Sequence, residues 1–239
     1  MKKIKNIIAT VVTAGVMSMA SALSGYCSVT VNNFDLETAA VTYTQVEGTI
    51  IYAENGVTET SITNAINGWL LTPEGVRVKL VEYGCELFLS STASAVYDDM
   101  TVGGLAYCAH IRCYKESGVI AGIIRDPYII CFEQSSSDLE GTVLHEIGHI
   151  FDETIALLGE GVYGGTYYQI SDGEEWQNIY ITYQSALASI DRHTAICMYN
   201  SSQAFAECFR LTYQNPEALI AACPVAYEYI LKVVAQYTE

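Results

Sequence analysis

The sequence predicts an α+β fold, and two observations lead to that expectation. The segment 57–71 carries Ile62, Ile66 and Leu70 at helical spacing, and Pro73 ends it. Short runs typical of strands follow, and helical patterns fill most of the chain after residue 138. This order of helix, strands and then helices favours an α+β domain.

Glycine, proline and polar clusters set the bounds of the expected elements. Strands are expected at 76–81, 86–90, 105–114, 118–124 and 128–132. Further helices are expected at 138–158, 175–190, 201–213, 216–222 and 224–237. The first of these begins at a serine cluster in which Ser137 and Glu140 have the spacing of a capping box.

The first 22 residues have the form of a signal peptide. A basic start precedes an apolar stretch at 7–20 that is short for a membrane span, and Ala20-Ser21-Ala22 is a typical cleavage site. We expect a secreted chain that begins near Leu23 and has no stable association with a membrane; an uncleaved anchor is the alternative. The predicted organisation is a signal peptide at 1–22, an N-terminal arm at 23–56 and one folded domain at 57–239.

The charge balance excludes one class of partner. The chain has 27 acidic and 11 basic residues, a formal charge of −16. Loss of Lys2, Lys3 and Lys5 with the signal peptide leaves eight basic residues and changes the charge to −19. Such a surface repels nucleic acid and anionic membranes, so no nucleic-acid partner is expected. It would tolerate or attract a basic peptide, although solubility outside the cell is the simpler explanation.

The cysteines do not identify a disulfide pattern or a metal site. The chain has eight Cys, which in an exported protein permits disulfides, but their pairing is not readable from sequence. No C-x-x-C motif occurs, so neither a Cys-type zinc site nor a thioredoxin-like motif is supported. Several Cys lie in apolar runs where buried free thiols are equally plausible.

The motif that carries chemistry is His145-Glu146-Ile147-Gly148-His149. Its two histidines are four residues apart, so both imidazoles lie on one helix face and can bind one zinc ion, Zn²⁺. Glu146 lies between them in sequence and can act as the general base toward a zinc-activated water. The alternative is a pair of partly buried helix histidines without a metal.

A third ligand must come from another part of the chain. The metzincin pattern is absent, because Asp152 occupies the position of its glycine and Ile155 that of its third histidine. A carboxylate from a later helix is the other common solution. The candidate segment is 201–211, which contains Gln203 and Glu207.

The segments HEIGHIFD (145–152) and QAFAECFRL (203–211) together resemble the lethal-factor-like zinc peptidases. That group includes the catalytic domain of anthrax lethal factor and secreted Pro-Pro endopeptidases. The resemblance extends over about 57–237. It implies a zincin-like fold, with a small twisted sheet beside the HExxH helix and a following ligand helix. It also implies zinc-dependent cleavage of an extracellular protein or peptide substrate.

One position departs from the family pattern Glu-x-Phe-Ala-Glu, in which the first Glu binds zinc and the second supports the site. Here the two positions are Gln203 and Glu207. Three interpretations are open. Gln203 binds zinc while Glu207 accepts a hydrogen bond from a ligand histidine; or Glu207 reaches the metal itself; or the site binds zinc poorly and the enzyme is degraded.

The resemblance also implies a tyrosine that faces the oxyanion, seven residues before the third ligand. Ile196 occupies that position, so Tyr199 is the nearest candidate, although a structural role for Tyr199 is as plausible. Asp152 matches the family and would contact a ligand histidine or hold a loop. His110 and His193 lack partners at a ligand spacing and are expected to be solvated or structural.

Two functions from different classes remain. The first is a secreted zinc endopeptidase whose substrate adds to an edge strand, at 105–114 or 118–124. The second is a catalytically weak, zincin-like extracellular binding protein. Gln203 favours the second function, whereas an intact Glu146 favours the first.

Overall fold

The expected α+β class is confirmed by a computed structural model of the chain. The residues that the structure describes are 41–54, 56–82, 85–90, 104–107, 112–116, 119–124, 128–132, 138–158 and 169–238. The signal peptide expected at 1–22 lies outside the described residues and stays a prediction. No helix among the described segments is both long and apolar enough to cross a bilayer.

A five-stranded sheet forms one layer of the fold. Its strands in chain order are β1 (Val41–Val46), β2 (Thr49–Glu54), β3 (Glu86–Ser90), β4 (Gly104–Tyr107) and β7 (Tyr128–Phe132). Across the sheet the order is β1-β2-β3-β7-β4. The three central strands run parallel, whereas β1 and β4 lie antiparallel at the two edges. A separate antiparallel pair consists of β5 (Arg112–Glu116) and β6 (Val119–Ile124).

Helices form the rest of the described chain. They are α1 (Glu59–Leu71), α2 (Glu74–Glu82), α3 (Leu139–Leu158), α4 (Glu174–Leu187), α5 (Arg192–Cys197), α6 (Ser201–Gln214), α7 (Pro216–Ala222) and α8 (Pro224–Thr238). Side-chain caps set several starts. Thr58, Asp191 and Asn200 accept hydrogen bonds from backbone N–H groups in the first turns of α1, α5 and α6.

Helix α3 lies at the centre of the core. Its apolar face is fully buried through Val143, Leu144, Ile147, Ile150 and Phe151. The helix contacts β4 and β7 on one side and α1 and α6 on others. At Gly148 a Cβ atom would lie only 2.8 Å from the Cα atom of Ala206 in α6. The absence of a side chain at Gly148 therefore lets α3 and α6 approach closely, which brings their polar faces together.

Aromatic packing fixes the later helices behind α6. The rings of Trp176 and Phe205 are 5.3 Å apart, and those of Trp176 and Tyr229 are 5.4 Å apart. These contacts join α4, α6 and α8. The indole Nε1 of Trp176 also donates to the carbonyl of Ser201, which holds the start of α6 against α4. The start of the predicted ligand helix is thus set by a hydrogen bond from α4 as well as by its cap.

The predicted N-terminal arm at 23–56 is wrong over 41–54. Those residues form β1 and β2, and β2 pairs with β3 inside the main sheet. Glu47 and Gly48 have φ values of 44° and 88°, the left-handed backbone that a two-residue hairpin turn requires. The structured region therefore begins by residue 41 rather than at residue 57.

The strand predicted at 76–81 is also wrong, because that segment belongs to α2. Val76, Val78 and Leu80 alternate like a strand in the sequence, but only Val76 and Leu80 are buried, and Val78 is 49 % exposed. The buried pair is four residues apart and therefore follows the helical period. The strand predicted at 105–114 overlaps two strands, β4 and β5. The helix predicted at 175–190 ends at Leu187, and α5 was not predicted.

Candidate metal centre

Helix α3 places the three residues of the HExxH motif side by side. The ring centroids of His145 and His149 are 4.9 Å apart, as expected for residues one helical turn apart. His145 and Glu146 are 7 % and 6 % exposed, so both polar side chains are held inside the protein. The spacing read from the sequence thus brings polar side chains together on a helix that also carries a buried apolar face.

His145 faces an oxygen acceptor at each ring nitrogen. Its Nδ1 atom lies 3.1 Å from Glu207 Oε2, and its Nε2 atom lies 3.2 Å from Gln203 Oε1. Burial alone would lower the pKa of His145, but the hydrogen bond to Glu207 and the charges of Glu146 and Glu207 raise it. Gln203 and Glu207 are one turn apart on α6, so one helix supplies both oxygens.

The carboxylate of Glu207 is fully buried and strongly held. Arg210 donates through Nη2 to Oε1 at 2.7 Å and through Nε to Oε2 at 2.9 Å. Thr194 donates its hydroxyl to Oε1 at 2.7 Å. Burial would raise the pKa of Glu207, but the hydrogen bonds from His145 and Arg210 hold it well below its usual range. The ionised carboxylate is therefore fixed against the Nδ1 side of His145.

His149 is oriented by a serine instead of a carboxylate. Its Nδ1 atom lies 3.4 Å from Ser202 Oγ, and that hydroxyl donates to Asp152 Oδ2 at 3.2 Å. The other nitrogen, Nε2, is buried and has no hydrogen-bond partner among the described residues. Burial, followed by the charge of His145, lowers the pKa of His149 to about 3. His149 is therefore neutral at ordinary pH, with a free lone pair at Nε2.

Asp152 holds a neighbouring segment of the chain, which is one of the two roles expected from the sequence. It accepts from the backbone N–H of Ser171 at 2.7 Å and from the Ser171 hydroxyl at 2.6 Å. Ser171 lies in a short 3-10 helix (Ile170–Asp172), so Asp152 holds that segment against α3. The same carboxylate also accepts a hydrogen bond from Ser202, whose hydroxyl contacts Nδ1 of His149.

The donor atoms at the Nε2 side suit a metal ion. A tetrahedral zinc site with bonds of about 2.0–2.2 Å has ligand atoms about 3.3 Å apart. His145 Nε2 and Gln203 Oε1 are 3.2 Å apart, and the Nε2 atom of His149 is buried without a hydrogen-bond partner. Two imidazole nitrogens and an amide oxygen are chemically acceptable ligands for zinc.

A second group lies on the opposite side of the His145 ring. His145, His193, Cys197 and Glu207 each offer a ligand atom, and these atoms lie within 4.8 Å of one another. His193 Nε2 is 3.6 Å from Glu207 Oε2 and 3.7 Å from Cys197 Sγ. The described part of the chain thus contains residues that could hold a metal ion, and His145 belongs to both groups.

Two residues that were considered for the oxyanion role are exposed. Tyr199 is 69 % exposed in the turn between α5 and α6, and its proposed role at an oxyanion stays a prediction. Ile196, at the position where the family has tyrosine, is 59 % exposed. His110 lies outside the described residues.

Sequence reasoning missed most of the polar residues around the two histidines. They are Ser171, Thr194, Cys197, Ser202 and Arg210. Arg210 follows Glu207 by three residues, and that spacing on a predicted helix was a readable signal for an ion pair. Thr194 and Ser171 carried no such signal, because each meets its partner only through the fold.

Comparison with known proteins agrees with the motif analysis. Residues 125–233 match the family model described as anthrax toxin lethal factor, N- and C-terminal domain. The matched segment contains α3 and α6, and thus every residue on the Nε2 side of His145. A search of curated proteins found no match.

Proposed function

We propose that this protein is a secreted zinc endopeptidase with a zincin-like site, a proposal supported by the match of residues 125–233 to the anthrax toxin lethal factor family model. Its substrates would be extracellular proteins or peptides. The observation that carries the proposal is the convergence of His145 Nε2 and Gln203 Oε1 beside the unpartnered, buried Nε2 atom of His149.

In this proposal His145, His149 and Gln203 hold the metal, and Glu207 orients His145. The contacts of Glu207 support this division of roles. Its two oxygens already accept from Arg210, Thr194 and His145 Nδ1, so direct ligation by Glu207 on the Nε2 side would break a buried ion pair. A carboxylate that accepts the other ring hydrogen is a common support for a metal-bound histidine.

Glu146 provides the proton transfer. A bound zinc ion would polarise the scissile carbonyl and lower the pKa of an attacking water. Glu146 is buried and directly follows His145 on α3. Its carboxylate accepts the proton of the attacking water and passes it to the leaving amine. His145 is kept in place during this cycle by Glu207, and His149 by Ser202.

The substrate would bind along β4. This strand (Gly104–Tyr107) lies at the edge of the main sheet, pairs only with β7 in the described sheet and contacts α3. An extended peptide can therefore add to its free edge through main-chain hydrogen bonds and reach the HExxH helix. Of the two edge segments expected from sequence, the one that contains β4 has the better position.

A binding protein without significant catalysis is the second candidate, and Gln203 favours it. A neutral amide leaves more of the cation's charge uncompensated than a carboxylate does, so metal affinity is expected to be lower. Glu146 favours the enzyme, because a buried carboxylate beside His145 has no evident use in a binding module.

The test compares metal content and hydrolysis in the chain that starts at Leu23. The parent should copurify with about one zinc per chain and cleave casein. Glu146→Gln should retain zinc and lose hydrolysis, because it removes the base and keeps both histidines. Glu228→Gln, an exposed change on α8, is the matched control. A parent that binds zinc without hydrolysis would favour the binding protein, and activity of Glu146→Gln within twofold of the parent would exclude the proposed base.

Export is part of the proposal. The protein released from cells should begin near Leu23, since Ala20-Ser21-Ala22 follows a short apolar segment. N-terminal sequencing of extracellular protein checks this, and detection of Met1 there would contradict it.

A further inference from the structure

A group of three residues lies on the Nδ1 side of His145: His193, Cys197 and Glu207. None of them binds zinc in the proposed function. His193 Nε2 lies 3.7 Å from Cys197 Sγ and 3.6 Å from Glu207 Oε2. Zinc bound tetrahedrally by nitrogen, oxygen and sulfur has ligand atoms about 3.3–3.6 Å apart, given bonds of about 2.0–2.3 Å. Two of the three separations are thus close to those between ligands of one cation, and all three ligand atoms lie within 4.8 Å of one another.

Local structure explains why these side chains point to one place. His193 and Cys197 are one helical turn apart on α5, so they share a face. Asp191 caps this helix by accepting from Thr194 N at 2.7 Å, and the Thr194 hydroxyl donates to Glu207. These contacts turn the face with His193 and Cys197 toward the buried carboxylate.

We infer that His193, Cys197 and Glu207 form a second metal site, which binds zinc or a similar borderline-soft divalent cation. An imidazole, a thiolate and a carboxylate are ligands that zinc accepts, and a water can complete the tetrahedron. The site is separate from the first one, which uses the Nε2 side of His145. His193 is 60 % exposed, so the cation can reach the site from solvent, while Cys197 is buried behind it.

A cation bound at the second site weakens metal binding at the first site. Glu207 Oε2 already accepts from Arg210 Nε and from His145 Nδ1. A cation bound to Oε2 replaces the hydrogen bond from His145 Nδ1. Arg210 stays in place, because it also donates a hydrogen bond to Oε1. His145 then loses the carboxylate that orients it. Zinc at either site therefore weakens binding at the other, and excess zinc inhibits the enzyme; this consequence rests on the proposed function.

The binding test needs no activity. Cobalt(II) added to the Leu23 chain should produce the near-ultraviolet absorption of a thiolate–cobalt bond. Cys197→Ser and His193→Ala should abolish or strongly weaken that absorption, whereas Cys85→Ser, which changes another buried free thiol, should keep it. Calorimetry with zinc should find two sites in the parent and one in Cys197→Ser. His149→Ala should lose the site on the Nε2 side of His145 and keep the thiolate absorption.

Excess zinc should slow casein cleavage by the parent about ten- to a hundredfold, the usual effect of losing the partner of a ligand histidine. Cys197→Ser and His193→Ala should resist this inhibition. No thiolate absorption with cobalt, or the same number of zinc sites in Cys197→Ser as in the parent, would overturn the second site. A thiolate–cobalt signal in a protein without hydrolysis would support the second site while refuting the proposed function, so the two failures are distinguishable.

Discussion

At the scale of single residues, the chemistry of the site depends most on Gln203. Its amide oxygen lies 3.2 Å from His145 Nε2, where the family pattern has a carboxylate. A carboxylate would neutralise part of the charge of a bound cation, which an amide cannot do. In the proposed function, the amide at this position is therefore expected to bind zinc more weakly than a carboxylate would.

Gln203→Glu should therefore tighten zinc binding, measured as a dissociation constant in competition with a chelator. Glu207→Ala should weaken it about ten- to a hundredfold, because His145 loses its orienting partner. Gln203→Ala should weaken it as well. If Gln203→Ala has no effect while Glu207→Ala removes the metal, Glu207 is the direct ligand and the proposed roles are reversed.

In the metal-free protein, a fall in pH should change the contributions of His149 and His145 to the free energy of unfolding in opposite directions. The folded-state pKa of His149 is lowered from 6.5 to about 3, so the unfolded chain binds a proton first and stability falls as pH decreases between those values. By pH 5 this loss amounts to about 2 kcal/mol. The pKa of His145 is raised, so its contribution is complete below pH 6.5 and is lost as pH rises through its folded-state pKa.

Urea unfolding in the presence of a chelator tests this difference. His149→Gln should lose less stability than the parent as the pH falls from 6.5 to 5. His145→Gln should lose less stability than the parent as the pH rises above 6.5. Parallel profiles for the parent and both variants would show that neither histidine is perturbed as described.

At the scale of elements, the approach of α3 to α6 decides whether the site exists. His145 and His149 lie on α3, and Gln203, Glu207 and Ser202 lie on α6, so every contact across the site depends on this spacing. Gly148 permits it, since a Cβ atom there would lie 2.8 Å from Ala206 Cα and 3.1 Å from Phe209 Cβ. The glycine in the motif therefore has a packing role at the back of the site.

Gly148→Ala should lower the free energy of unfolding by about 1–3 kcal/mol, the usual cost of overpacking, despite the better helix propensity of alanine. It should also weaken zinc binding, because the helices must separate. Ser185→Ala, on an exposed position of α4, is the control and should change stability by less than about 0.5 kcal/mol. A Gly148→Ala protein as stable as the control would show that the helices adjust without cost.

At the scale of the whole molecule, the sheet requires the segment before residue 57. Ile51 and Ala53 in β2 are 1 % and 3 % exposed, and the Thr49 hydroxyl donates to the carbonyl of Cys85 at 2.7 Å. Removal of β1 and β2 would take these side chains from the core and expose the edge of β3.

A chain that begins at Val57 should therefore fail to unfold cooperatively in urea, whereas the chain from Leu23 should give a single transition. Circular dichroism during urea unfolding makes the comparison. Equal midpoints for the two chains would restore the domain boundary at residue 57 that sequence alone suggested.

The sequence by itself determined the features that depend on neighbours along the chain. The period of apolar residues predicted α1, α3, α6 and α8, and the i, i+4 spacing put His145 and His149 on one face. The same period failed at 76–81, because Val76, Val78 and Leu80 fit strand alternation as well as a helix. Which of these residues is buried depends on the rest of the core.

Only the tertiary structure decided which oxygen of α6 faces which ring nitrogen of His145. Glu207 Oε2 faces Nδ1, and Gln203 Oε1 faces Nε2. Gln203 and Glu207 lie on the same helix face, so the sequence allowed either of them to reach the metal. Their distances to His145 depend on the close packing of α3 and α6 at Gly148. The carboxylate of Glu207 is also fixed by the hydroxyl of Thr194, which lies on α5. Residues 145 and 207 are far apart in the chain, and a contact at that separation is set by packing of the whole core, which no local pattern encodes.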